Sequence, residues 1–334
     1  MQQRQLGPFT VSAIGLGCMN ICHAYGQPIP EADAQRLLLA ALDAGVTHFD
    51  TAALYGFGVS ETLIGQFLSA QRSRFVLASK CGMQGVDVKG DGKLVRVIDG
   101  RPATLRATCE AALKRLRTDV IDLYYLHRWD PQVPIEESVG ALADLVRAGK
   151  IRAIGLSEVS AETLRRGHAE HPIAALQTEY SLWTRNPEIA VLQACRDLGV
   201  TFVAFSPVGR GFLTATPPVT ESLDAGDIRR FMPRFAADNY ARNLALLPGL
   251  QAVARAVGCT VAQLAIAWLL HRGEDILPIP GTTRLDHLHE DLGASDVRLS
   301  AEVMARLDAV MNDRLVAGSR YNAQGNAEVD TEGD

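Results

Sequence analysis

The chain has 334 residues, 47% of them apolar and 21% charged, which is enough for one large domain with a well-buried core. A net charge of −5 leaves no basic footprint for nucleic acid or for an anionic membrane surface. Six scattered cysteines, at 18, 22, 81, 109, 195 and 259, include no C-x-x-C pair and read as free thiols in a reducing compartment. The opening MQQRQLGPFT has no apolar signal core, and no run approaches the ~20 apolar residues of a membrane span. A cytoplasmic protein with no membrane partner is expected.

Residues 1–13 predict a small hairpin that turns at Gly7-Pro8. Ile14 to Cys18 is the first inner-strand candidate. Its Gly15-x-Gly17 does not extend to a dinucleotide fingerprint, because the third glycine position is Asn20. Cys18, Cys22 and His23 have C-x3-C-H spacing without a partner cluster, so they read as a loop and no metal site is expected. A helix is signalled from Pro30, with Leu37, Leu38, Ala41 and Leu42 as its apolar face and Gly45 as its stop. The strand Val46 to Asp50 follows. The same unit of helix, glycine and strand recurs over 141–157 and 189–206. Helical pattern fills 61–70, 103–117, 160–169 and 284–293, and further strands read at 173–177 and 276–279.

Strand runs therefore start near 14, 47, 75, 120, 151, 173, 201 and 276. Apolar strands alternating with helices imply a parallel sheet covered by helices. Eight such units in one chain predict an α/β fold, a (β/α)8 TIM barrel spanning 1–334 as a single domain. Two long connections, 82–101 and 207–242, follow strand ends and belong at the C-terminal face, where a barrel builds its site. The polar, acidic stretch 322–334 is expected to be a flexible tail.

The residues that close the apolar runs are Asp50, Lys80, His127, Ser157, Gln177 and Ser206. Polar residues end strands for ordinary reasons, but a lysine closing Phe75 to Ala78 is costly to bury unless paired. Asp50 on the adjacent strand is its natural partner. An ammonium beside Tyr55 would favour the phenolate and lower a pKa of about 10. His127 could orient a carbonyl oxygen. Together these groups make a general acid aimed at a carbonyl that becomes an alkoxide, with hydride from a nicotinamide as the natural reductant.

The sequence resembles an aldo-keto reductase. The resemblance is carried by Phe49-Asp50-Thr51-Ala52 with Tyr55-Gly56, Ala78-Ser79-Lys80, Leu126-His127-Arg128-Trp129-Asp130, Ile154-Gly155-Leu156-Ser157, Gln177-Thr178-Glu179-Tyr180, Phe205 to Leu213 and Ile279-Pro280-Gly281-Thr282. It implies a catalytic tetrad of Asp50, Tyr55, Lys80 and His127, with Tyr55 protonating the carbonyl. It implies that Ser157 and Gln177 hold the nicotinamide carboxamide, that Phe205 stacks on the ring, and that Ser206, Pro207, Gly209, Arg210 and Gly211 cradle the pyrophosphate. Gly281, Thr282 and Arg284 fall where the family grips a 2′-phosphate, and Glu290 at an adenine contact. Arg284 favours NADP(H) over NAD(H).

Three residues depart from the family pattern. Glu158 stands where an asparagine is frequent, and a carboxylate can accept from a carboxamide but not donate to it. His287 replaces a polar phosphate contact, and Asp291 a frequent asparagine, which sets a negative charge near the 2′-phosphate. Tyr25, Phe57, Met83 and Trp129 are candidates for the substrate pocket, suited to small-molecule carbonyls with apolar or ring-bearing bodies. Two other readings fit parts of the pattern: an aldolase using Lys80 as a Schiff-base nucleophile, and a non-catalytic, nicotinamide-sensing regulatory subunit.

Overall fold

The computed structural model describes residues 1–22 and 24–333. Strands β1 (Gln3–Leu6) and β2 (Phe9–Ser12) form an antiparallel hairpin. The strands that follow are β3 (Leu16–Gly17), β4 (His48–Asp50), β5 (Val76–Cys81), β6 (Met83–Val86), β7 (Val95–Ile98), β8 (Ile121–Leu126), β9 (Ile151–Ser157), β10 (Ile173–Glu179), β11 (Thr201–Phe205) and β12 (Ile276–Ile279). The helices are α1 (Glu31–Asp43), α2 (Val59–Leu68), α3 (Pro102–Leu116), α4 (Ile135–Arg147), α5 (Ala161–Glu170), α6 (Val191–Leu198), α7 (Ala237–Leu244), α8 (Leu247–Val257), α9 (Val261–Arg272), α10 (Leu285–Gly293), α11 (Ala301–Val310) and α12 (Ala323–Asn326).

Eight parallel strands run in the order β12-β11-β10-β9-β8-β5-β4-β3. Gly15 N donates to Pro278 O at 3.0 Å and Gly17 N to Pro280 O at 2.9 Å, which brings the first strand against the last. The sheet is thus a nearly closed barrel with helices outside it, a (β/α)8 TIM barrel. The two glycines that tempt a nucleotide reading serve this closure. A Cβ on Gly15 would sit 2.8 Å from His48 Nδ1, and one on Gly17 would sit 3.0 Å from Ile279 O. Side chains there would hold the barrel edges apart.

The hairpin β1–β2 adds Leu6 and Val11 to the barrel-interior cluster of Ala78, Leu123, Tyr125 and Val203. The connection after β5 carries the second hairpin, β6–β7. The first inner strand is shorter than the apolar run 14–18. Helices α7, α8, α9 and α11 lie beyond the helical segments the sequence marks. Of these, α9 is apolar nearly all round and has eight buried residues, so it lacks the one-sided periodicity of a surface helix. Segment 207–242 is irregular but winds through short turns at Gly209–Gly211, Thr220–Ser222, Ile228–Phe231 and Pro233–Phe235 before α7.

The tail also differs from the expectation. Residues 322–333 include α12 and are stitched to the barrel. Asp330 N donates to Glu158 O at 3.0 Å, and the Asp330 carboxylate accepts from Ser160 N at 3.1 Å. Glu332 accepts from Ala161 N at 2.7 Å. Two acidic residues thus satisfy open N–H groups at the start of α5, so the acidity of the tail anchors it. Asp334 lies outside the described residues. No single described helix is long and apolar enough to cross a membrane.

His48 is fully buried, and neither ring nitrogen has a hydrogen-bond partner among the described residues. Burial pushes its pKa down to about 4, against the smaller opposing effect of Asp50. The unfolded chain therefore binds a proton between pH 6.5 and 4 that the folded chain refuses, and stability falls as pH drops through that window. The loss from His48 alone is roughly 2–3 kcal/mol between pH 7 and pH 4.5. Urea denaturation of wild type and His48→Leu at the two pH values measures it. The variant should lose less stability on acidification by about that amount, and equal losses would refute the assignment.

Candidate active site

Strand register sets the tetrad. Asp50 ends β4 opposite Ala78 of β5, which places Lys80 one inward-facing position higher. Lys80 pairs in register with Tyr125 of β8, so His127 leaves β8 just above it. The chain after β4 turns through Tyr55–Gly58, with Gly56 and Phe57 in left-handed conformations, and returns the Tyr55 ring over the barrel end.

Lys80 is fully buried. Its Nζ donates to Asp50 Oδ1, to Thr51 O at 2.8 Å and to the Tyr55 hydroxyl oxygen at 3.2 Å. Gln177 Nε2 donates to the other Asp50 oxygen at 2.7 Å. The His127 ring stands edge-on to Tyr55, with centroids 5.8 Å apart and planes at 87°. Burial is the largest single influence and lowers the Lys80 pKa, but Asp50 and Tyr55 together outweigh it and the ammonium is held above its usual value. Tyr55 moves in the opposite sense to the sequence expectation. Burial raises its pKa, and although Lys80 and Arg128 pull downward the net direction is up. The phenol therefore keeps its proton at neutral pH.

Tyr55, His127 and Asp50 open into a cleft of about 820 Å³ along the strand ends. Ser157 and Gln177 lie side by side in register on β9 and β10 and face it. Phe205, Ser206, Pro207, Arg210 and Gly211 follow along its wall, and Gly281, Thr282 and Glu290 line its far end. The backbone is left-handed at Ser206, Gly209, Arg210 and Gly211, a curled segment of the kind that turns N–H groups toward an anion. Gly209 itself is buried behind that curl against Trp183. Lys80 stands behind Tyr55 and Asp50 rather than in the cleft wall.

A model of the aldo/keto reductase family matches residues 13–312. The chain belongs to the aldo/keto reductase family. Among solved structures it is similar to a glycerol dehydrogenase from Gluconobacter oxydans, at 28% identity and a TM-score of 0.84, covering 92% of this chain and 94% of that one. It is similar to an aldo-keto reductase from Bacillus halodurans in its holo form, at 26% identity and 0.78, covering 97% and 99%. A third is an aldo/keto reductase from Klebsiella pneumoniae in complex with NADP and acetate, at 28% and 0.71, covering 96% and 98%. The family acts on small-molecule carbonyl substrates and uses nicotinamide cofactors.

Against that family pattern, Glu158 has a structural explanation. Its backbone is left-handed, at φ 56°, and its carboxylate is buried away from the cleft. There it accepts from Glu179 N at 2.9 Å and pairs with Arg320 Nη1 at 2.9 Å. Arg320 is itself buried and also donates to Thr331 Oγ1 at 2.9 Å. Arg210 is engaged likewise: it pairs with buried Glu179 and reaches the Tyr25 hydroxyl at 3.2 Å and the Tyr321 hydroxyl at 3.3 Å. It braces the cleft wall more than it offers a free cation. Arg284 is exposed beside the cleft and paired with Asp286.

Asp291 lies in the wall at the Glu290 end. Burial, reinforced by the Glu290 charge, pushes its carboxyl up to about 8. It is thus largely neutral at pH 7, and the negative charge expected near a 2′-phosphate is mostly absent. His287 shares that wall.

At the substrate end, Tyr25 and Met83 line the cleft, whereas Phe57 and Trp129 do not. The Phe57 ring covers Gly85, where an added Cβ would meet it at 2.3 Å. Trp129 Nε1 donates to Val133 O at 2.9 Å, which fixes the indole toward the following turn. It is Arg128, one residue earlier, that lines the cleft. Tyr321, Asn322 and Gln324 of the docked tail line it too, as do Arg96 of β7 and Asn20. Nothing local in the sequence separates Arg128 from Trp129 as the cleft residue, and a tail with polar composition gave no signal for its docking. Cys18 and Cys22 are buried, and His23 lies outside the described residues.

Removing one partner of the buried Glu158–Arg320 pair strands a charge. Arg320→Met should cost about 3–5 kcal/mol by denaturant titration. The double variant Glu158→Gln, Arg320→Met should recover a large part of that loss, and strictly additive losses would show that the pair is not coupled.

Proposed function

We propose that this enzyme reduces small aldehydes and ketones to alcohols with NADPH, reversibly, with Tyr55 as general acid. The observation that carries the reading is the buried array in which the Lys80 ammonium lies 3.2 Å from the Tyr55 hydroxyl and is paired to Asp50. It supports a phenol that is protonated in the ground state and flanked by cations able to stabilise the oxygen after proton loss. His127, edge-on to Tyr55, would hold the substrate carbonyl oxygen against the hydroxyl.

The residues fit a nicotinamide cofactor. Ser157 and Gln177 would hold the carboxamide, Phe205 would cover the ring, and the left-handed curl Ser206 to Gly211 would take the pyrophosphate. Thr282 and the start of α10 would take a phosphate at the other end, with Arg284 beside them. When bound, the cofactor supplies the hydride. The chain's own contribution is to fix the carbonyl, donate the proton from the Tyr55 hydroxyl, and return a proton to it from solvent once the alcohol leaves. NADP(H) is favoured over NAD(H) because a neutral Asp291 and a nearby Arg284 leave room for the added phosphate charge.

A Schiff-base role for Lys80 needs a neutral amine. The Asp50 carboxylate holds it as the ammonium, which supports the reductase reading over the aldolase one. The presence of all four tetrad residues weighs against the regulatory-subunit reading.

Turnover of an aldehyde panel with NADPH and NADH, followed at the nicotinamide absorbance, tests the assignment. Tyr55→Phe should lower kcat by about 10²–10⁴-fold while cofactor still binds. Unchanged turnover in that variant would remove Tyr55 from its role. No turnover by wild type would favour the regulatory reading.

Asp291 gives a pH prediction. As pH rises from 7 to 9 its carboxyl ionises, and NADPH affinity by fluorescence titration should weaken several-fold more than NADH affinity. Asp291→Asn should flatten the difference. The same pH dependence in the variant would place the titrating group elsewhere.

A further inference from the structure

Four cations around the cleft mouth have a carboxylate of their own. Lys80 has Asp50, Arg210 has Glu179, Arg229 has Asp227 and Arg96 has Glu328. Arg128 is different. It is half-buried in the cleft wall, and no carboxylate lies within ion-pair distance of it among the described residues. Its Nη1 donates to His127 O at 2.8 Å and to Ser157 Oγ at 3.4 Å. The guanidinium is therefore pinned between the residue proposed to orient the carbonyl and the one proposed to hold the carboxamide. Its Nε and Nη2 groups have no acceptor among the described residues, which leaves donors of the planar fork uncommitted. That free edge lines the cleft, where an arriving anion can reach it.

The anion is not one of the cofactor's. The curl proposed for the pyrophosphate follows β11, three strands from β8 and on the order of 14 Å across the sheet. The start of α10 lies beyond it, after β12. The charge of Arg128 is felt at the Tyr55 hydroxyl, where the carbonyl would react. We propose that Arg128 anchors an anion subsite and that the cleft takes carbonyl substrates bearing a carboxylate a few bonds from the reacting carbon, the class of short oxo acids and semialdehydes. This rests on the reductase reading of the same cleft. The carboxylate accepts from the free edge of the guanidinium while the carbonyl oxygen sits at Tyr55 and His127. A planar carboxylate suits that edge as a bidentate partner.

The test compares succinic semialdehyde with its uncharged methyl ester under saturating NADPH. Wild type should prefer the acid by about tenfold in kcat/KM, chiefly through KM. In Arg128→Gln that acid-over-ester ratio should fall at least about tenfold, with Arg128→Lys intermediate. A wild-type ratio at or below one overturns the proposal, as does a ratio that Arg128→Gln leaves unchanged. Glyceraldehyde 3-phosphate against glyceraldehyde forms a second arm. An Arg128-dependent preference seen only there would replace carboxylate by phosphate and overturn the assignment. Calorimetric titration of succinate into the cofactor-free protein keeps the inference independent of turnover. Binding should weaken about tenfold in Arg128→Gln. Equal binding by both proteins, or none by wild type, overturns the subsite whether or not any carbonyl is reduced. Absence of turnover with succinate binding intact would instead count against the reductase reading alone.

Discussion

An ammonium with no access to water persists only where oxygen atoms surround it, and the Lys80 cage is the constraint on which this barrel mouth depends. Asp50, the Thr51 carbonyl and the Tyr55 hydroxyl supply three of those oxygens. Each comes from the short stretch that ends β4 and turns back over it. The turn passes through two consecutive left-handed residues, Gly56 and Phe57, a conformation that costs a phenylalanine free energy. The cage offsets that cost. Loss of Asp50 would leave a buried cation without a counter-charge, a penalty large beside the net stability of a domain. The same interaction therefore holds the loop, orients the phenol and fixes the charge state of the lysine.

A second set of buried charges does for the cleft wall what Lys80 does for its floor. Glu158 and Glu179 leave adjacent strand ends, and Arg320 and Arg210 reach them from the tail and from the curl after β11. The Glu179 carboxyl is pushed up by burial, yet Arg210, then Arg320, hold it below its ordinary value. Tyr321 lies between the two arginines, 5.6 Å from one guanidinium and 4.7 Å from the other. Because Glu158 follows Ser157 directly, docking of the tail bears on the residue proposed to hold the carboxamide. Composition alone suggests that the stretch after Tyr321 should fray. Its acidic residues instead find the open N–H groups of α5 and Arg96 of the second hairpin.

Much of the barrel was legible because the strands are apolar runs ending in polar residues, and their helices carry a one-sided stripe and a glycine stop. Asp50, Lys80 and His127 stood out by that same punctuation, whereas Tyr55 lies in the turn beyond β4 and was placed with them by the family resemblance. What was not legible depends on contacts across the chain. The α9 stretch has no polar face to reveal its period. Trp129 and Arg128 are adjacent, and nothing local says which turns inward; the Val133 carbonyl decides it by taking the indole N–H. Glu158 reads as a misfit to the family pattern until Arg320, distant in sequence, is set beside it. Charge pairing over long separations is what single-sequence reasoning recovers least, since each member alone is an ordinary polar residue.

The opposed influences on Tyr55 are the clearest case where magnitude, not inventory, sets the chemistry. Lysine beside tyrosine invites the conclusion that the phenol is acidified. Burial is the larger influence here and keeps the hydroxyl protonated, with Asp50 adding to it. An acid catalyst gains from this arrangement. A phenolate in the resting cleft would repel an incoming carbonyl oxygen and have no proton to give. On the proposed mechanism the proton is retained until the substrate oxygen gains charge, so Lys80 and Arg128 would act on the phenolate only as it forms. On the proposed mechanism, stabilisation is thereby reserved for the transition state rather than the ground state, which is the condition under which it raises the rate.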